Sequence, residues 1–112
     1  MDAIVEITEK LKLEIRSNSP EAAYLEAVVE RKDLEGLNSI LTKHFGAPAK
    51  GAGKNAKFAK GIQKLVDSLG GLRAEQSFYF IEKDGFILYA ALWPWQSDPE
   101  RTTVKIGQIA KT

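Results

Sequence analysis

The dipeptide Asp84-Gly85 constrains this chain more than any other feature, because it lies between two runs of aromatic and β-branched residues. Asp-Gly in that setting predicts a two-residue hairpin with a type I′ turn, which requires positive φ at both positions. The predicted strands are residues 77–83 and 86–93. The turn also sets the expected register, in which the pairs are Lys83 with Phe86, Ile81 with Leu88, Phe80 with Tyr89, Tyr79 with Ala90, and Phe78 with Ala91.

Both faces of this hairpin are apolar. One face carries Tyr79, Ile81, Leu88, Ala90 and Leu92, and the other carries Phe78, Phe80, Ile87, Tyr89 and Ala91. A sheet with one solvated face would alternate with polar residues, so both sides of the hairpin should be covered. Helices from the N-terminal part can cover one side. The other side needs a further helix, wrapped chain, a ligand or a second subunit.

Helical periodicity dominates the chain before the hairpin. Apolar residues recur at spacings of three and four over residues 2–16, over 33–45 after Asp33, and over 55–69 after Asn55, which predicts three amphipathic helices. Residues 20–31 admit two structures. Serine and proline at 19 and 20 have the form of a helix start, whereas Leu25, Ala27 and Val29 alternate as in a strand at 24–30.

A last strand is expected at residues 102–109, with Val104 and Ile106 inward and Lys105 outward on an exposed edge. Together these elements predict an α+β fold in which N-terminal helices pack on a C-terminal antiparallel sheet of three or more strands. A chain of 112 residues with 44% hydrophobic and 28% charged residues is expected to form a single domain, residues 1–112.

Several classes of function lack the residues they need. The chain has no cysteine, which excludes thiol catalysis and cysteine-based metal sites, and its only histidine, His44, excludes a multi-histidine metal site. No spacing suggests a catalytic set, so we expect no enzyme and no cofactor. Charge interrupts the apolar residues at positions 1–6, and no apolar run is long enough to cross a membrane, so we expect a cytoplasmic protein without membrane contact.

Residues 47–66 carry five lysines and no acid: Lys50, Lys54, Lys57, Lys60 and Lys64. This segment differs from a phosphate-binding P-loop, because Pro48 stands at the first glycine, Asn55 at the hydroxyl position, and a helix precedes it. Lysines at a helix start would still meet an anion together with free backbone N–H groups. Three interpretations remain: a solvated face, a site for phosphate or nucleic acid, and a site for an acidic protein surface.

Two tryptophans flank Pro94 at the end of the hairpin, and strand alternation points Trp93 and Trp95 the same way. They can close one end of the core, form a surface for a partner or a second copy together with Tyr89, or stack on a sugar. The sequence favours a small non-enzymatic binding module that recognises a protein partner or itself through the C-terminal sheet. The alternative is weak binding of phosphate or nucleic acid through residues 50–64.

Overall fold

The computed structural model describes residues 2–19, 23–51, 58, 60–71 and 75–110. Its elements in chain order are α1 (Asp2–Lys10), β1 (Glu14–Ser19), β2 (Tyr24–Glu30), α2 (Arg31–Phe45), α3 (Lys60–Ser68), β3 (Ser77–Lys83), β4 (Phe86–Pro94) and β5 (Arg101–Ala110). The strands form one antiparallel sheet in the order β1-β2-β5-β4-β3. The predicted α+β class is therefore confirmed.

The hairpin has the predicted register at every position. All five expected pairs occur between β3 and β4. Asp84 and Gly85 have φ of 53° and 81°, as a type I′ turn requires. The hairpin is thus determined by local turn chemistry.

The first predicted helix is too long, because α1 ends at Lys10 and β1 begins at Glu14. Leu11, Leu13 and Ile15 also alternate with period two, and Ile15 pairs with Ala27 on β2. Pairing with β2 satisfies the backbone groups of this segment, so the strand displaces the last turns of the expected helix.

Of the two structures open to residues 20–31, the strand is correct for β2, while residues 20–22 lie outside the described residues. Leu25, Ala27 and Val29 are fully buried on one face, as their alternation indicated. Because β2 pairs with β5, β5 is a central strand. The expectation that Lys105 lies on an edge is therefore wrong.

Helix α2 begins at Arg31, two residues before the predicted start at Asp33, directly after β2. The predicted start of the third helix near Asn55 lies outside the described residues, and α3 is described from Lys60. Its apolar stripe agrees with the prediction, since Ile62, Leu65 and Val66 are buried.

Helices cover the sheet from both sides. The first face packs against α1 and α2 in a core that includes the fully buried residues Ile7, Leu25, Leu37, Leu41 and Ile106. The second face packs against α3, where Ile62, Leu65 and Val66 meet Phe78, Ile87, Tyr89 and Ala91. The chain itself thus covers both faces of the hairpin except near the turn, where Ile81 and Phe86 on the first face stay exposed.

Candidate functional site

Among the residues that the structure describes, α3 packs on the second face of the sheet over β3 and β4. Toward β5 and β2 the same face carries partly exposed residues, among them Trp93, Thr103 and Lys105, next to Val28, which is buried. We call this area the tryptophan surface; its residues are Tyr24, Glu26, Trp93, Trp95, Arg101, Thr103 and Lys105. Aromatic side chains on this part of the sheet face are partly exposed to solvent.

Each tryptophan of this surface lies beneath a cation from β5. Nζ of Lys105 is 5.3 Å from the ring centroid of Trp93, and Cζ of Arg101 is 5.5 Å from that of Trp95. Contacts of this kind stabilise by about 0.5–1 kcal/mol each at exposed positions. Nε1 of Trp95 donates a hydrogen bond to Oγ1 of Thr103 at 2.8 Å. Trp95 is therefore held by a cation and a hydrogen bond, and Trp93 by a cation.

Acidic residues accompany these cations. Lys105 lies 3.6 Å from Glu26, and Arg101 lies 3.4 Å from Asp98 and 3.9 Å from Glu14. The hydroxyl of Tyr24 donates to Glu26 at 3.2 Å, and burial together with the charge of Glu26 raises the pKa of Tyr24 to about 12. The tyrosine is thus protonated at neutral pH, and charges of both signs alternate across the surface.

Tyr89, a third residue predicted for this surface, is buried in the core under α3. Its ring lies against Gly107 on β5, where a side chain would collide with it. Burial raises the pKa of Tyr89. Tyr89 therefore packs in the core between the sheet and α3. The prediction that Tyr89 belongs to an exposed surface with the tryptophans is corrected by this burial.

The structure does not bring the described lysines of the predicted anion site together. Lys54 and Lys57 lie outside the described residues, while Lys60 and Lys64 are exposed on α3. Lys50 is 5% exposed, and its ammonium group donates to the carbonyl oxygens of Gln76 and Gly51. Burial lowers the pKa of Lys50.

The backbone of Lys50 exchanges two hydrogen bonds with Phe78, at 3.1 and 3.0 Å, and so covers part of the edge of β3. Lys50 therefore has a structural role, and its ammonium group does not join Lys60 and Lys64.

The interpretation from sequence missed the partners of the tryptophans. Tyr24 and Glu26 come from β2, and Arg101, Thr103 and Lys105 come from β5. Their spacing of two residues was a usable indication, because it places each set on one face of a strand. Only the pairing of β2 with β5 brings the two sets together.

His44 lies in the last turn of α2, as predicted, with Nε2 2.9 Å from Oε1 of Glu6 on α1. Glu6 also accepts hydrogen bonds from Lys43 and Lys10, both at 3.0 Å. His44, Lys43 and Lys10 together lower the pKa of Glu6 to about 2. The carboxylate of Glu6 thus joins the two helices of the first face.

Among the residues that the structure describes, no group of three or more histidine, aspartate or glutamate side chains could hold a metal ion. Within the same residues, no helix combines the length and apolar character needed to cross a membrane. Comparison of the chain with protein-family models, with curated proteins and with solved structures finds no match in any of the three.

Proposed function

We propose that this chain is a non-enzymatic interaction module that binds a second copy of itself through the tryptophan surface. The observation that supports it is the partial cover of the second sheet face, where α3 lies over β3 and β4 and leaves Trp93 and Trp95 half-buried at its border. Tryptophan, tyrosine and arginine are the residues that most often dominate the binding energy of protein interfaces. Trp95, Tyr24 and Arg101 bring all three types together.

The charge pattern favours a second copy as the partner. In a twofold dimer the same patch meets itself, so a patch of one sign would repel its copy. On the tryptophan surface Lys105 instead pairs with Glu26, and at its border Arg101 pairs with Glu14 and Asp98. Rotation about a twofold axis can place each cation opposite an acid of the other copy.

The size of the tryptophan surface determines the affinity expected for the dimer. Three strands over about six residues span about 15 Å by 20 Å, or about 300 Å² in projection. Stable interfaces bury roughly 800 Å² on each partner. The dimer is therefore expected to be weak and reversible, and its test needs protein concentrations up to about 1 mM, where association of about 4 kcal/mol is half complete.

Sedimentation velocity over a concentration series tests the proposal. The wild-type protein should shift from monomer toward dimer, Trp95→Ser and Lys105→Glu should weaken the shift, and adding Glu26→Lys to Lys105→Glu should restore it. Val5→Ser is the matched control, since Val5 is 51% exposed on α1, away from this face. A strict monomer at about 1 mM would refute self-association, and dimerisation that is equally weakened by Val5→Ser would refute the surface.

Binding of a phosphate-bearing ligand through the lysines remains the second candidate. Lys60 is the first described residue of α3, the first described turn contains no acidic residue, and Lys64 lies one turn later. Amide shifts titrated with inorganic phosphate or a short single-stranded RNA should cluster on α3 and weaken with salt. Lys60→Gln with Lys64→Gln should abolish these shifts, and shifts that persist in that variant would exclude these two lysines.

A further inference from the structure

A pocket of about 400 Å³ opens at the end of the first sheet face, away from the tryptophan surface. It lies where the β3-β4 hairpin extends past the start of α1 and the end of α2, between Asp2, His44, Ile81, Phe86 and Gln108. This volume is within the range of small-molecule sites in proteins. We propose that the pocket binds a small organic cation with an apolar body.

The walls of the pocket are apolar on three elements. Phe45 comes from α2, Ile81 from β3, and Phe86 and Leu88 from β4. Ile81 is 37% exposed and Phe86 is 40% exposed, which places two of the large exposed apolar side chains at one site. A ligand with an apolar body would remove this surface from water, which favours binding.

The charges around the pocket favour a cation. Asp2 and Asp84 are among the lining residues, and neither has an ion-pair partner among the residues that the structure describes. The C-terminal end of α2, at His44 and Phe45, adds the negative end of a helix dipole, which Lys43 in the same last turn offsets in part. The opposing charge is Lys83, a long and exposed side chain that can turn toward water.

Aromatic side chains add to this preference. The rings of Phe45 and Phe86 line the same space, and a cation is attracted to the face of an aromatic ring. The start of α1 contributes a positive dipole end, but Asp2 lies in that first turn and offsets it. An anionic ligand would meet both carboxylates and the end of α2.

Amide-shift mapping with 2-phenylethylamine tests the proposal, with 3-phenylpropionate as an anion of similar size and shape. The amine should give saturable shifts confined to residues that line the pocket, and the acid should bind more weakly. Asp84→Asn should weaken binding of the amine by about two- to fivefold, as expected for an exposed charge pair. Asparagine tolerates the positive φ of 53° at this turn position, so the hairpin is retained.

Glu9→Gln provides the matched control, because it removes an exposed carboxylate of α1 that does not line the pocket. It should leave the affinity for the amine unchanged. Equal or tighter binding of the acid would overturn the assignment of a cation. Shifts centred on Trp93 and Trp95, or no saturable shift with either compound, would overturn the pocket itself.

Discussion

Replacing Gly107 by alanine should destabilise the fold, although alanine normally stabilises a strand interior relative to glycine. A Cβ at this position would lie 2.8 Å from Oη and 3.0 Å from Cζ of Tyr89, and 3.2 Å from Cδ1 of Tyr24. Tyr89 is buried between the sheet and α3, so its ring has little room to move. The alanine should gain about 0.5–1 kcal/mol from its smaller loss of backbone entropy and lose about 1–3 kcal/mol through overpacking.

A Cβ contact of 2.8 Å with a buried side chain forces a shift, so the upper part of that overpacking range, about 2–3 kcal/mol, applies. We therefore expect Gly107→Ala to lower the free energy of unfolding by about 1–2.5 kcal/mol, measured by urea denaturation at constant m. Tyr89→Phe removes the atom that lies 2.8 Å from the added Cβ, so the cost of the alanine should fall by about 1 kcal/mol in that background. Gly61→Ala is the matched control, because a Cβ there meets nothing within 4 Å, and it should stabilise α3 by up to about 1 kcal/mol. The reasoning fails if Gly107→Ala is as stable as the wild type, or if Tyr89→Phe leaves its cost unchanged.

Three further substitutions test other parts of the fold. Glu6→Gln should destabilise the protein at neutral pH, and because the pKa of Glu6 is lowered to about 2, its contribution should be complete above about pH 4.5 and vanish as pH falls through about 2. Unfolding curves of both proteins across that range check this; a constant difference would contradict it. Tyr79→Phe removes the hydrogen bond that the Tyr79 hydroxyl donates to Asn38 at 2.8 Å, and should cost about 1 kcal/mol in urea denaturation. Gly85→Ala forces a side chain into φ of 81° and should cost about 1–2 kcal/mol in thermal unfolding; an unchanged Tm would show that the turn relaxes.

The parts of the fold that were predicted in detail depend on interactions between residues close in sequence. The Asp84-Gly85 turn sets the positions of both adjoining strands, so the pairing of Phe80 with Tyr89 could be read without any tertiary information. Helical periodicity identified the buried stripes of α2 and α3 for the same reason, since a helix depends on contacts three and four residues apart. The apolar character of both hairpin faces likewise required cover on both sides, which α3 supplies on the second.

Contacts between distant segments decided the rest. Residues 11–15 fit a helix and a strand by local pattern, and pairing of Ile15 with Ala27 selects the strand. The same addition of β1 and β2 to the sheet moved Lys105 from the expected edge to the centre, where it meets Trp93 and Glu26. Local patterns therefore determined the register of the hairpin and the buried faces of α2 and α3. Strand order decided which side chains meet at the tryptophan surface. Leu25 pairs with Ile106, and pairing between such distant residues depends on the burial and hydrogen bonding of the whole sheet.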